Sequence, residues 1–445
     1  MTVLKRLKPL VILVIIFTIV QSNVVLAFDL DKKINKNVYV NNIELSGLTK
    51  EEAREKLLYN VKENRYFVLS YENKEILIDK NILDVEYEID NLVKKAYEVG
   101  RDEDIISNIK TKVSLRRGNK VVIPLSYKYN MEMVDKLIED CNKNIYLNPI
   151  DATAKVIDGQ ICVTKEMYGR KVDESKLKKD IIDNIKNLDS RKIEICVKTL
   201  KPKYTYNQLK KIDTVLGSFE TYFNISNENR SNNIEVAALA TSNLIIGQND
   251  KFSFNDALQN KNARQNLKEA PIIKNGKSDR GLGGGICQVS TTIYNAALYS
   301  NMKIIEVNNH SMPSLYAIKG RDATVSEGYL DFVFQNKNET PILIYNQVIN
   351  NKIVSKIYGS KSDKKDIEIE TQIVKILKNK QICKKDYNLK NGLNIVEQKG
   401  RLGYTVNTFR IYRENQKIIK KELINVSYYP PCDEIIIKGA KGSRY

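Results

Sequence analysis

Tryptophan is absent from the 445 residues and histidine occurs once, at His310. The first absence removes the side chain that stacks best on sugar rings and leaves that work to tyrosines such as Tyr428 and Tyr429. The second, with six cysteines (Cys141, Cys162, Cys196, Cys287, Cys383 and Cys432) that form no Cys-x-x-Cys pair, argues against a zinc site, and no metal or other cofactor is expected. No acidic residue precedes Asp29, and the one long apolar run, Pro9 to Val20, is interrupted only by Thr18 and is short for a membrane span.

What stands at the N-terminus is Lys5, Arg6 and Lys8, then that run, then Gln21-Ser22-Asn23 and Val24-Val25-Leu26-Ala27, the three regions of a secretory signal. A core helix at a chain terminus behind three cations would have little to pack on, so export is expected. Residues 1–27 are then a cleaved leader or, if Val24 to Phe28 extends the run, a membrane anchor, with the bulk of the chain outside the cell. The net charge is +18, of which the leader supplies only three. Outside a cell such a field attracts wall teichoic acids, anionic headgroups or peptidoglycan carboxylates, not nucleic acid. Heavy use of Lys, Asn and Ile throughout leaves open that the charge is merely a solvated surface. Disulfides are permitted there. Cys383 and Cys432 share the last domain and are the first candidates for a pair.

The length calls for about three compact units and the 42% apolar content can supply their cores. From Val38 to about Thr205 strand-like segments lead into capped helices. Val38-Tyr39-Val40 and Ile43-Glu44-Leu45 precede Thr49 and Glu52, a capping box, with a stripe of Ala53, Leu57 and Leu58. Val121 to Leu125 precedes Val134, Leu137, Ile138 and Cys141 at helical spacing, which makes Cys141 a core residue. Ile161 to Val163 precedes Asp173, Leu177, Ile181, Ile185 and Leu188, and Ile193 to Lys198 precedes a helix through Leu209, Ile212 and Val215 that stops at Gly217. Beyond Lys364 the pattern turns to strands, with Thr408 to Tyr412 and Lys417 to Ile419 flanking a turn at Arg413-Glu414-Asn415-Gln416. The fold class expected is multi-domain α+β.

Asn41 to Ala53, Ala96 to Arg101, Pro149 to Ala152 and Gly169 to Asp173 resemble the peptidoglycan-binding domain that precedes certain envelope enzymes. Glu397-Gln398-Lys399-Gly400-Arg401-Leu402-Gly403 with Ile437-Lys438-Gly439 is similar to a G5 domain, a β-module of surface proteins that the resemblance associates with glycans, although a plain structural module reads equally well. Between Asn233 and Gly359 the chain resembles the VanW family, associated with vancomycin-resistance clusters, through Asn233-Ile234-Glu235-Val236-Ala237-Ala238, Phe252-Ser253-Phe254-Asn255, Gly283-Gly284-Gly285-Ile286-Cys287-Gln288-Val289-Ser290-Thr291-Thr292, His310-Ser311, Gly320-Arg321-Asp322-Ala323-Thr324-Val325 and Asp331 to Asn336. Asn308 stands where the family tends to carry a second histidine, which argues against a two-histidine site. The expected layout is an α+β module at 37–110, a peptidoglycan-binding-like module at 111–208, a VanW domain at 209–360 and a G5-like domain at 364–445.

Three glycines feeding Cys287 and the apolar run Val289, Ile293, Ala296 and Ala297 predict a loop opening into a helix, whose first-turn dipole lowers the pKa of a thiol. Cys287, His310 and Asp322 follow in the order nucleophile, base, orienting carboxylate. Gly283, Gly284, Gly285, Gln288, Ser290, Thr291 and Arg321 are the candidates for substrate contact, and the amides of Ile286, Cys287 and Gln288 for holding an oxyanion or a wall-peptide carboxylate. The same residues have plainer roles: a buried thiol, a structural histidine, an aspartate in a turn, and glycines for close packing. Three functions remain open: recognition of peptidoglycan or an associated wall polymer, a cysteine-dependent hydrolase or transpeptidase on wall peptide, and a structural spacer.

Overall fold

The computed structural model describes residues 32–274 and 277–441, so the expected leader at 1–27 lies outside the described residues. Among the described residues no helix is long and apolar enough to cross a membrane. The architecture is α+β. It divides into two compact units, the first running to Pro149 and including Tyr168–Lys201, the second formed by Ile150–Met167 and the chain from Pro202 onward.

In the first unit Val38–Val40 pairs antiparallel with Ile43–Glu44 and parallel with Val121–Ile123. Helix α1 (Lys50–Glu63) opens with the expected capping box: the Glu52 amide donates to Thr49 Oγ1 at 3.2 Å, and the Thr49 amide to Glu52 Oε2 at 2.8 Å. Ala53 and Leu57 pack on Val38, Val40 and Leu92, whereas Leu58 faces solvent, so the buried stripe is narrower than the sequence predicts. Helices α2 (Met131–Ile145) and α3 (Glu174–Lys186) place Val134, Ile138, Cys141, Leu177, Ile181 and Ile185 over a second core with Phe67 and Leu69. Cys141 sits in that core.

In the second unit the hairpin Ala154–Ile157 and Gln160–Val163 buries Ala154 and Val156 against Leu209, Ile212, Leu343 and Tyr358. That apolar contact draws a segment contiguous with the preceding module into the later unit. The helix expected through Gly217 is a single turn, Tyr206–Leu209, and Val215 to Gly217 lies instead in strand β1 (Thr214–Tyr222). The reason is the alternating Thr, Val, Phe and Tyr content of 214–222, which satisfies its backbone along a partner strand. With β2 (Leu244–Ile246), β3 (Ile342–Ile349) and β4 (Lys352–Gly359) it forms an antiparallel sheet in the order β1-β4-β3-β2.

Helices α4 (Glu228–Ala240) and α5 (Ile286–Tyr299) pack on this sheet. Every residue of α5 from Gln288 to Leu298 is buried. Ile234, Ala237, Val289, Ile293, Tyr294 and a cluster of Phe252, Phe254, Phe332 and Phe334 form the common core.

The last region is β-rich. Strands β5 (Asp366–Leu377), β6 (Gly403–Glu414) and β7 (Lys417–Tyr429) run antiparallel in the order β5-β6-β7. The β6–β7 turn at Asn415 and Gln416 has φ of 49° and 65°, the left-handed pair that a tight hairpin uses. Glu434–Lys441 lies between Gln381–Lys390, parallel, and Asn394–Gln398, antiparallel. All six cysteines are free thiols, so the pairing expected of Cys383 and Cys432 is not formed. Cys383 stands opposite Ile436 in its strand and Cys432 bridges to Arg401.

Candidate functional site

Residues 283–285 bring the chain into α5 through two left-handed turns, with φ of +80° at Gly283 and +112° at the N-cap Gly285. A Cβ on Gly285 would meet Arg230 Cγ at 3.1 Å, so this corner requires glycine both for its backbone and for the close passage of α4. Asn233 on α4, fully buried, fastens the loop: its Nδ2 donates to Gly284 O at 3.0 Å and Lys268 O at 2.8 Å, and its Oδ1 accepts from the Lys268 amide at 2.7 Å. Cys287 is therefore delivered to the second position of a rigid buried helix, half-buried itself, with its thiol 3.5 Å from Val325 O.

His310 and Asp322 lie in the irregular segment between the strands Lys303–Glu306 and Val333–Gln335. His310 Nδ1 is 2.6 Å from Asp322 Oδ2, and the His310 backbone amide donates to the same oxygen at 2.8 Å. Asp322 is 1% exposed and takes a third hydrogen bond, from the Tyr429 hydroxyl, on Oδ1. With Nδ1 engaged by Asp322, Nε2 is the nitrogen left for other partners, and the thiol and imidazole lie near enough for each to shift the other's titration. The Tyr316 hydroxyl approaches the same Nε2 at 3.4 Å, its ring edge-on to the imidazole.

The electrostatics follow from that packing. Burial opposes charge on both groups, but the hydrogen bond and charge of His310 outweigh it and hold the Cys287 thiol below its ordinary range. For His310 burial pushes down, while the bonds to Asp322 and Cys287 carry it up to about 10. Both shifts favour charge separation between the thiol and the imidazole.

The other sequence candidates fall in two groups. Gly283, Gly284 and Gly285 form the loop beside Cys287. Gln288, Ser290, Thr291 and Arg321 are 5% exposed or less and spend their polar atoms inside the protein. Gln288 Nε2 donates to Thr221 Oγ1 and Tyr222 O, both at 2.9 Å, and its Oε1 accepts from Arg230 at 2.7 Å. Ser290 Oγ donates to Ala323 O at 2.6 Å, Thr291 Oγ1 accepts from the Ala323 amide at 3.0 Å, and Arg321 Nε donates to Asn295 Oδ1 at 2.6 Å. These bonds tie α5 to residues 321–323 and so fix the position of Asp322 relative to Cys287.

Of the three candidate amides, that of Ile286 turns to Gly283 O and that of Gln288 to Gly285 O, which leaves the Cys287 amide without a backbone acceptor among the described residues. No group of three or more His, Cys, Asp or Glu among the described residues is placed to hold a metal ion. Sequence reasoning missed Tyr316, Arg230 and the role of Tyr429. Tyr429 was visible only as half of a tyrosine pair, and it is fully buried whereas Tyr428 is exposed.

Comparison with known proteins gives the description "VanW like protein" for residues 229–358, "Putative peptidoglycan binding domain" for 78–194 and "G5 domain" for 367–441. The chain is 33% identical over 239 residues to the uncharacterized protein YoaR of Bacillus subtilis (strain 168), covering 54% of this chain and 78% of that one. It is 29% identical over 155 residues to the Vancomycin B-type resistance protein VanW of Enterococcus faecalis (strain ATCC 700802 / V583), covering 34% of this chain and 56% of that one. Among solved structures, an IgA1 protease G5 domain matches at 24% identity with a TM-score of 0.15, over 18% of this chain and 94% of that one.

Proposed function

This chain belongs to the VanW-like family and has the domain content of a cell-wall-associated protein, and from that premise we propose that its VanW domain is a cysteine-dependent acyl-transfer site acting on wall peptide, a hydrolase or transpeptidase. The observation that carries this reading is the convergence of Cys287, His310 and Asp322, in which a histidine is oriented by a buried carboxylate and its charge acts on a thiol at a helix N-terminus. A packed core has no evident use for a thiol, an imidazole and a buried carboxylate brought together, whereas a nucleophile and its base require them.

The Cys287 thiolate attacks the carbonyl carbon of a peptide bond. The oxyanion forms beside the Cys287 amide and the positive end of the α5 dipole. As the C–N bond breaks, His310 Nε2 passes its proton to the departing amine and a thioester remains on Cys287. Water, or the amine of a second peptide, then attacks the thioester while His310 takes up its proton, and the thiolate leaves. Asp322 keeps the imidazole oriented and stabilises its charged form throughout.

In the same proposal the bulk of the chain is exported by the leader built on Lys5, Arg6 and Lys8, and the peptidoglycan-binding and G5 regions hold peptidoglycan or anionic wall polymer near the site. The test incubates the purified protein with stem peptides released from cell walls and looks by mass spectrometry for an acyl group on Cys287. Acylation of Cys287 that is lost in Cys287→Ala supports the reading. Salt-sensitive binding to sacculi without any acylation, identical in Cys287→Ala, returns the domain to pure recognition.

A further inference from the structure

The β6–β7 hairpin of the G5 region reaches the two residues that orient the nucleophile. Tyr429, at the end of β7 and 0% exposed, donates its hydroxyl to Asp322 Oδ1 and accepts the Gly320 amide at 2.8 Å. Thr408 on β6 donates its Oγ1 to Gly320 O at 2.7 Å. Asn309, next to His310, exchanges two hydrogen bonds with the Tyr428 backbone, at 2.8 Å through Nδ2 and 3.2 Å through Oδ1. The approach is close enough that Gly320, with φ of +88°, could carry no Cβ: one would lie 2.8 Å from Thr408 Oγ1.

These contacts have a chemical consequence. Both bonds from His310 converge on Oδ2, so Oδ1 of a carboxylate sealed from water depends on Tyr429 for its partner. Without that hydroxyl the buried oxygen is left unsatisfied, and the carboxylate gains by rotating away from its bifurcated bond with His310. We infer that the G5 module is an integral part of the VanW site, with Tyr429 as a positioning residue that fixes the Asp322 carboxylate and through it the His310 ring facing Cys287. The module thus has a second role besides any contact with wall polymer, and the site is complete only while the hairpin is docked. The inference rests on the acyl-transfer reading for its catalytic meaning, but it is testable on the thiol alone.

The experiment follows iodoacetamide alkylation of Cys287 from pH 5 to 10 in the full chain, resolved by peptide mass spectrometry, with thermal unfolding recorded alongside. Tyr429→Phe keeps the buried ring and removes only the hydroxyl. It should lower Cys287 reactivity at pH 6 about tenfold, which is a rise of about one unit in the half-point of the profile. Tyr428→Phe, whose contacts to Asn309 are made by backbone, should leave the profile unchanged. If Tyr429→Phe fails to fold, Asn309→Ala carries the same test from the other side of the hairpin, with an upward shift again expected. A wild-type profile in the foldable variant overturns the inference alone. An ordinary thiol profile for Cys287 in the unaltered protein would instead sink the acyl-transfer reading.

Discussion

The two compact units bury polar groups very differently. Among the described residues the first hides Ser70, Lys80 and Asn184, while the second hides nineteen polar or charged residues, several of them on the single helix α5. The first is held by hydrocarbon, and its helices turn charge outward in the manner of any amphipathic element. In α5 the outward face is missing: Gln288, Ser290, Thr291, Thr292 and Asn295 are all buried and all bonded. Satisfied buried polar networks specify position more sharply than apolar packing does, because each displaced bond costs about 1 to 3 kcal/mol. The contrast teaches where placement matters in this molecule. The network runs from Cys287 to Asp322, and no counterpart to it exists among the described residues of the first unit.

The sharpest way to break the comparison is to remove the group the network serves. Cys287→Ala should reduce acyl transfer to background, a loss of three orders of magnitude or more, while circular dichroism and thermal unfolding stay close to the original. Retained activity would mean that the network positions something else.

Asp322→Asn comes next. An amide cannot accept from His310 and balance its charge, so turnover should fall by about 10³ to 10⁴ and urea denaturation should show a loss of about 3 kcal/mol or more. The pH dependence of stability carries its own signature. The share due to His310, raised to about 10 in the fold, is full below its unfolded value near 6.5 and drains as pH rises through the folded one. The Cys287 share has the opposite sign, full above an unfolded thiol value of about 8.5 and lost as pH falls through its depressed folded value. The pair therefore stabilises most between about pH 6.5 and 8.5, and Asp322→Asn should flatten that maximum in urea titrations taken across the range.

The sequence revealed these regions unequally, for physical reasons. The capped helices of the first unit were legible because Thr49, Glu52 and the spacing of Val134, Ile138 and Cys141 act locally. The segment 209–217 misread as helix because Leu209, Ile212 and Val215 fit a helical spacing by chance, and only the partner strand β4, more than a hundred residues on, decides for a strand. Cys287, His310 and Asp322 are proposed from residue type and order, and the fold bonds His310 to Asp322. The polar side chains of α5 could not be told from ligand-facing ones, since burial depends on β1 and on residues 321–323. Tyr429 lies 107 positions from the aspartate it holds, beyond the reach of any spacing argument.

The comparison can be sharpened with one residue type placed in both regions. Thr292 in α5 is 0% exposed, donating to Gln288 O at 2.6 Å and lying 2.8 Å from Thr221 Oγ1, itself the acceptor of Gln288 Nε2. Thr292→Val keeps the shape and deletes the hydroxyl, which should cost about 1 to 3 kcal/mol and slow Cys287 alkylation, because Gln288 adjoins Cys287.

Thr49 at the start of α1 is only half-buried, and its hydroxyl serves a single helix end. Thr49→Ala should cost about 1 kcal/mol, the smallest effect expected here, since water can replace part of what the cap supplied. Its effect on the thiol is the more telling measurement. If polar bonds in the first unit only hold local structure, the alkylation profile of Cys287 should be superimposable on the original across the whole pH range, even with unfolding shifted. A Thr49→Ala chain in which Cys287 reactivity falls as it does in Thr292→Val would show that placement of Cys287 depends on both units alike, and the distinction between a hydrocarbon-held unit and a network-held site would no longer stand.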